Sequence, residues 1–170
     1  MGEYLGDLLE RLRRGGAEVG ALTANTPHAY LDEIRAETSL PLVSIVSGTR
    51  DAAGGLGLKQ ARLLGTRTTM EAEMYPREVA GAGVTIVLPG KDDREFIDHT
   101  FYNELALGQV SPETRQRYLD ICARHIETDG IDSVILGCTE IPLVISRDDL
   151  SVDVLDTTSI HVAAILAAAS

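Results

Sequence analysis

The run Ile131-Asp132-Ser133-Val134-Ile135-Leu136 is short, rich in β-branched residues and closed by Gly137, the pattern of a strand buried on both faces of a parallel sheet. Such a strand constrains everything around it, because parallel neighbours are reached only through long crossovers, which are usually helices. The remaining sequence reads accordingly. Tyr4, Leu5, Leu8, Leu9 and Leu12 recur at helical spacing until Gly15-Gly16. Val19 to Ala24 reads as a strand, and Asn25-Thr26-Pro27 opens a helix that runs to about Glu37. Pro41 to Val46 predicts the next strand, followed by a helix near Thr49 to Gly54, a strand over Ala61 to Leu64, a helix from about Thr68 and a strand over Val84 to Leu88. Helices over about Asp92 to Leu107 and Pro112 to Thr128 precede the 131–136 strand, and a strand at Val152 to Leu155 leads into a closing helix from Thr157. This alternation predicts an α/β fold with mostly parallel sheets flanked by helices.

Ligands of such sheets gather at the carboxyl ends of strands. Three strand-to-helix turns qualify: Ala24-Asn25-Thr26-Pro27-His28, Gly65-Thr66-Arg67-Thr68-Thr69 and Gly137-Cys138-Thr139-Glu140. At the third, Pro142 suits the first turn of a following helix, whose N–H groups would favour ionisation of the Cys138 thiol. Leu22-Thr23-Ala24-Asn25-Thr26 and Leu136-Gly137-Cys138-Thr139-Glu140 form a weak internal repeat that sets Ala24 opposite Cys138.

Composition narrows the function. A formal charge of −11 argues against nucleic acid and anionic membrane surfaces as partners. The weakly polar stretch Ile160 to Ala169 is too short to span a bilayer, and Met1 to Gly6 lacks the features of a signal peptide. The two cysteines, Cys122 and Cys138, form no CxxC pair, so a cytoplasmic location is expected. Lys59 and Lys91, the two lysines, lie outside the strand-end turns, which leaves no Schiff-base lysine for a pyridoxal cofactor. The four histidines show no ligand pairing, and no metal is expected. Cys122 shares a helical face with Tyr118, Ile121 and Ile126 and reads as a core thiol. Glu140 reads as a complement to a helix dipole, Asp92-Asp93-Arg94-Glu95 as a solvated first helical turn, and His28 either as a group that orients its turn or helps with proton transfer, or as a solvent-facing helical residue.

The segment Val134-Ile135-Leu136-Gly137-Cys138-Thr139-Glu140-Ile141-Pro142-Leu143 closely resembles the second cysteine motif of the cofactor-independent aspartate/glutamate racemase family. Ala24-Asn25-Thr26-Pro27-His28 is similar to that family's first motif, usually Cys-Asn-Thr, with alanine in place of cysteine. Leu63-Leu64-Gly65-Thr66-Arg67-Thr68-Thr69-Met70-Glu71, with Tyr75 following, is similar to its middle motif. The resemblance implies two similar lobes with a ligand pocket between them: a first lobe of residues 1–40 with 153–170, N-terminally shorter than the family pattern, and a second of 41–152. It also implies racemisation of a dicarboxylic amino acid, aspartate or glutamate, by cysteine-based α-proton transfer without a cofactor, in a homodimer. On the matching positions, Cys138 is the catalytic acid/base, and Asn25, Thr26, Thr69 and Thr139 bind substrate. Ala24 departs from the pattern and keeps two alternatives open, a one-thiol relative resembling the family's decarboxylase branch and a catalytically impaired ligand-binding remnant.

Overall fold

A computed structural model describes all 170 residues, Met1–Ser170. Helix α1 (Gly2–Arg14) leads to strand β1 (Gly20–Ala21), a 3-10 turn over Thr26–Tyr30, helix α2 (Leu31–Glu37) and strand β2 (Leu42–Val43). Next come helix α3 (Ile45–Leu56), strand β3 (Gln60–Leu64), the short helices α4 (Arg67–Glu71) and α5 (Met74–Ala80), strand β4 (Thr85–Val87), and helices α6 (Lys91–Asn103) and α7 (Pro112–Asp129). Strands β5 (Ser133–Leu136) and β6 (Asp153–Asp156) and helix α8 (Thr157–Ala168) close the chain. All strand pairing is parallel, with β1 against β2 in one sheet and the order β4-β3-β5-β6 in the other. The result is an α/β fold of parallel sheets flanked by helices. No helix is long and apolar enough to cross a membrane.

The main core surrounds the larger sheet. Every residue of β5, from Ser133 to Leu136, is buried, as a central strand covered on both faces requires. A separate small core of Leu9, Ile34 and Leu40 joins α1 to α2. There, a Cβ added at Gly6 would lie 2.4 Å from that of Glu37, so the absent side chain lets the two helices approach closely.

Several local expectations change. Only Gly20–Ala21 of the 19–24 run is paired as a strand. The 41–46 strand stops at Val43, because the Ser44 hydroxyl accepts from the Ser47 N–H at 3.3 Å and caps α3, which takes in Val46. Asp93 is not solvated: it is buried at 8% exposure and accepts from Arg124 at 2.6 Å. The pairing also cuts across the lobe boundaries read from the sequence, since β2 (42–43) pairs with β1 and β6 (153–156) joins β5. Helix α8 does reach back to the smaller sheet, where His161 Nε2 donates to the Val43 carbonyl at 2.9 Å.

In β3, Arg62 is 1% exposed and pairs with Asp129, whose side chain is 37% exposed. Removing one partner of a buried pair leaves an uncompensated charge, and the partial exposure of Asp129 reduces that cost. Asp129→Ala, which leaves the buried guanidinium uncompensated, is therefore expected to destabilise the fold, whereas Arg62→Met, which removes the buried charge itself, should cost clearly less. Urea unfolding at neutral pH checks the order; a larger loss in Arg62→Met would contradict this account.

Candidate functional site

The three strand-end turns meet at one end of the sheets. Gly137 donates its N–H to the Leu64 carbonyl at 2.7 Å, which holds the end of β5 against the end of β3. The turn after β3 therefore lies beside the turn that carries Cys138. Thr66 Oγ1 caps α4, accepting from Thr69 N at 3.4 Å, and lies 3.2 Å from Thr69 Oγ1. Thr26, from the turn after β1, brings a third hydroxyl, 3.4 Å from Thr66 Oγ1 and 3.5 Å from Thr69 Oγ1. Well-formed hydroxyl hydrogen bonds are centred at about 2.7–2.8 Å, so this cluster is loosely bonded and can turn toward a ligand at small cost.

Asn25 is more firmly held. Its Oδ1 accepts from Tyr75 Oη at 2.5 Å, and its Nδ2 donates to Thr157 Oγ1 at 3.1 Å. Thr157 in turn donates to the Leu136 carbonyl at 2.8 Å, two residues before Cys138. Asn25, Thr26 and Thr69 thus meet across the sheet ends, with Cys138 and Thr139 on the adjoining turn. Ala24 is exposed beside Asn25 and presents no ionisable group.

At Cys138 the structure corrects an expectation. No α-helix follows it; the chain makes only a 3-10 turn over Ile141–Leu143. The thiol, 6% exposed, donates to Glu140 Oε2 at 2.9 Å, and the same oxygen accepts from Thr139 Oγ1 at 2.7 Å. Burial, reinforced by the adjacent carboxylate, pushes the Cys138 pKa up to about 12, so the resting group is a neutral thiol rather than a readily ionised one. Cys122 is fully buried and burial likewise pushes its thiol up to about 12, in keeping with a core role.

One cavity lies away from the thiol. A space of about 170 Å³ opens behind the first turn, bounded by His28, Ser44 and Met74, and its charged lining mixes Arg35 and Arg77 with Asp32, Glu73 and Glu78. Chemistry nonetheless points to the strand ends, where Cys138 and the hydroxyls gather. No group of three or more His, Cys, Asp or Glu side chains is arranged to hold a metal ion.

Residues 2–165 match the model of the Asp/Glu/hydantoin racemase family. The chain belongs to that family. An aspartate racemase homologue from Pyrococcus horikoshii superposes with a TM-score of 0.88 at 34% identity, over 99% of this chain and 74% of that one. A Yersinia pestis structure, described as a candidate Asp/Glu racemase, gives 0.90 at 36% identity over the same shares, 99% and 74%. The broad specificity amino-acid racemase RacX of Bacillus subtilis is 24% identical over 88% of this chain, which spans 63% of the length of RacX.

Within this racemase-family chain, the residues that sequence reasoning undervalued are those joined at long range. Thr157 is one. Glu140, read as a dipole complement, is the hydrogen-bond partner of both Cys138 and Thr139. His28 is buried rather than solvent-facing: Nε2 accepts from the Ile45 N–H at 3.3 Å, which leaves Nδ1 to donate to the Ala24 carbonyl at 3.0 Å. The ring is therefore neutral and ties the first turn to the start of α3. Burial lowers its pKa from 6.5 to about 4.

Because the folded chain takes up this proton less readily than the unfolded chain, the stability contributed by neutral His28 is complete above about pH 6.5 and is lost as pH falls toward 4. A shift of that size corresponds to on the order of 3 kcal/mol. The stability gap between the native protein and His28→Gln, from urea unfolding, is expected to shrink by roughly that amount between pH 7 and pH 4. A gap that stays constant across the range would show that His28 is not the titrating group.

Proposed function

We propose that this chain carries the thiol half of a cofactor-independent amino-acid racemase acting on aspartate or glutamate. The observation that supports the reading most directly is the Cys138 thiol bonded to Glu140 at 2.9 Å, on the turn beside the Thr26, Thr66 and Thr69 hydroxyls. Removal of an α-proton leaves a carbanion whose charge spreads into the α-carboxylate, so the site must offer preorganised donors there. The free N–H of Asn25 and the hydroxyls of Thr26 and Thr69 fill that role, and Thr139 adds to them when its hydroxyl turns from Glu140 to the substrate.

Cys138 acts first as the base. As thiolate it takes the α-proton, the Cα–H bond breaking as S–H forms and the electron pair passing into the α-carboxylate; in the opposite direction S–H breaks as Cα–H forms again, and the sulfur is left as a thiolate. Glu140 is placed to accept the thiol proton when the cycle must begin from thiolate: S–H breaks and O–H forms across the existing bond. The family likeness extends this reading to a homodimer, and the cysteine usage to a cytoplasmic location.

Alanine at position 24 favours a second reading for the chain as it stands, proton delivery to one face only, which serves α-proton exchange or a decarboxylation but not racemisation. Incubation with L-aspartate and L-glutamate in heavy water separates the readings. The native chain is expected to incorporate α-deuterium with little optical inversion, and Cys138→Ala to lose the incorporation. Ala24→Cys should raise inversion by ~10²-fold or more, the usual contribution of a placed acid–base group. Exchange that persists in Cys138→Ala, or a folded Ala24→Cys that binds substrate but gains no inversion, would defeat the two-face arrangement. Carbon dioxide release from a malonate without exchange of either amino acid would favour the decarboxylase reading.

A further inference from the structure

The direction of every bond in the chain from Tyr75 to Leu136 is set by its last member. A backbone carbonyl cannot donate, so the Thr157 hydroxyl must spend its one proton on Leu136 O, at 2.8 Å. Thr157 Oγ1 is then an acceptor only, and Asn25 must present its amide nitrogen to it, at 3.1 Å. That turns Asn25 Oδ1 toward Tyr75, whose hydroxyl must donate, at 2.5 Å. Exposure is 0% at Tyr75, 3% at Asn25, 0% at Thr157 and 1% at Leu136, so water is poorly placed to substitute for any partner. Burial also raises the Tyr75 phenol above its ordinary range, which keeps it a donor at every working pH.

A flipped Asn25 amide would set its oxygen against Thr157 Oγ1, a pairing of two acceptors that loses this bond, and would make the Tyr75 hydroxyl an acceptor, leaving its proton without the amide oxygen it now meets. Of the amide's two N–H groups one is committed to Thr157, and one is left over. We propose that Tyr75 is a positioning residue that locks the Asn25 amide in this orientation, so that Asn25 meets a substrate as a single N–H donor to a carboxylate oxygen. Tyr75 itself touches no reacting atom. The inference rests on the racemase reading for the identity of the ligand, while the amide orientation stands without it.

Two arms test it. Asn25 is one of only two asparagines, so its side-chain amide resonances are assigned by their loss in Asn25→Ala. In Tyr75→Phe, which removes only the hydroxyl, the Thr157-bonded N–H is expected to shift and to exchange with solvent at least about tenfold faster. For ligand binding by calorimetry, Tyr75→Phe should weaken aspartate or glutamate about tenfold in the native background and by no more than about twofold in Asn25→Ala, because the two residues act through one contact. Losses that multiply in the double variant, or an Asn25 amide unmoved in Tyr75→Phe, overturn the proposal. Absence of amino-acid binding by every version defeats the racemase reading instead, and the amide resonances still decide the role of Tyr75. Should Tyr75→Phe fail to fold, Thr157→Val interrupts the same chain from the other side and must produce the same amide shift and the same non-additive binding loss; failure to do so also overturns it.

Discussion

The backbones of β3 and β5 press together just beyond their last paired residues, and the site depends on that contact. A Cβ added at Gly65 would lie 2.9 Å from the Gly137 carbonyl oxygen, and one added at Gly137 would lie 2.9 Å from the Leu64 carbonyl oxygen. Neither position admits a side chain unless the strands separate. The Thr69 methyl fills what space remains, 3.0 Å from a Cβ placed on Gly65 and 3.2 Å from one placed on Gly137. Its hydroxyl is thereby left to face Thr66 and Thr26. Serine would lose the methyl that packs on the glycines, and valine would lose the hydroxyl.

What joins the first turn to the larger sheet is polar. The contacts there run through Thr26 to Thr66 and Thr69, through Asn25 to Tyr75 and Thr157, and through His28 to Ile45. Hydrogen bonds of this kind specify one geometry where an apolar surface would tolerate sliding. The looser hydroxyls and the firmly oriented amide, which keeps one N–H to give, divide the work. Asn25 holds the turn in place, while the threonines keep bonding capacity for a guest.

Where the sequence was legible, burial was dictated locally. Strand β5 announces itself by four buried positions in a row, and α7 by Ser111, Pro112 and a closing Gly130. The same logic misled at Pro41 to Val46, since apolar residues resume straight after Ser44, which stops the strand by capping α3. A serine just before Ile45 was the signal available. Asp93 and Tyr75 could not have been read from spacing, because Arg124 lies 31 residues from the one and Asn25 lies 50 from the other. Glu140 was close enough in sequence to suspect, yet reading it as a dipole complement to an α-helix missed its bond to Cys138, on a chain that enters a 3-10 turn instead.

The resting state of the thiol carries a consequence for charge. The chain has a formal charge of −11, and a dicarboxylic amino acid adds two carboxylates and one ammonium group. A thiolate at Cys138 would place a further negative charge beside Glu140 in a buried turn, the arrangement that burial and like charge both oppose. A neutral thiol removes that repulsion while the ligand enters. Once the ligand is bound, its ammonium group is the one cation it contributes near the reacting carbon, and an opposite charge is what favours ionisation of a thiol. In a reaction of the proposed kind, binding would therefore accompany activation of the base, and the same carboxylate that keeps the empty site protonated would receive the proton when the substrate arrives.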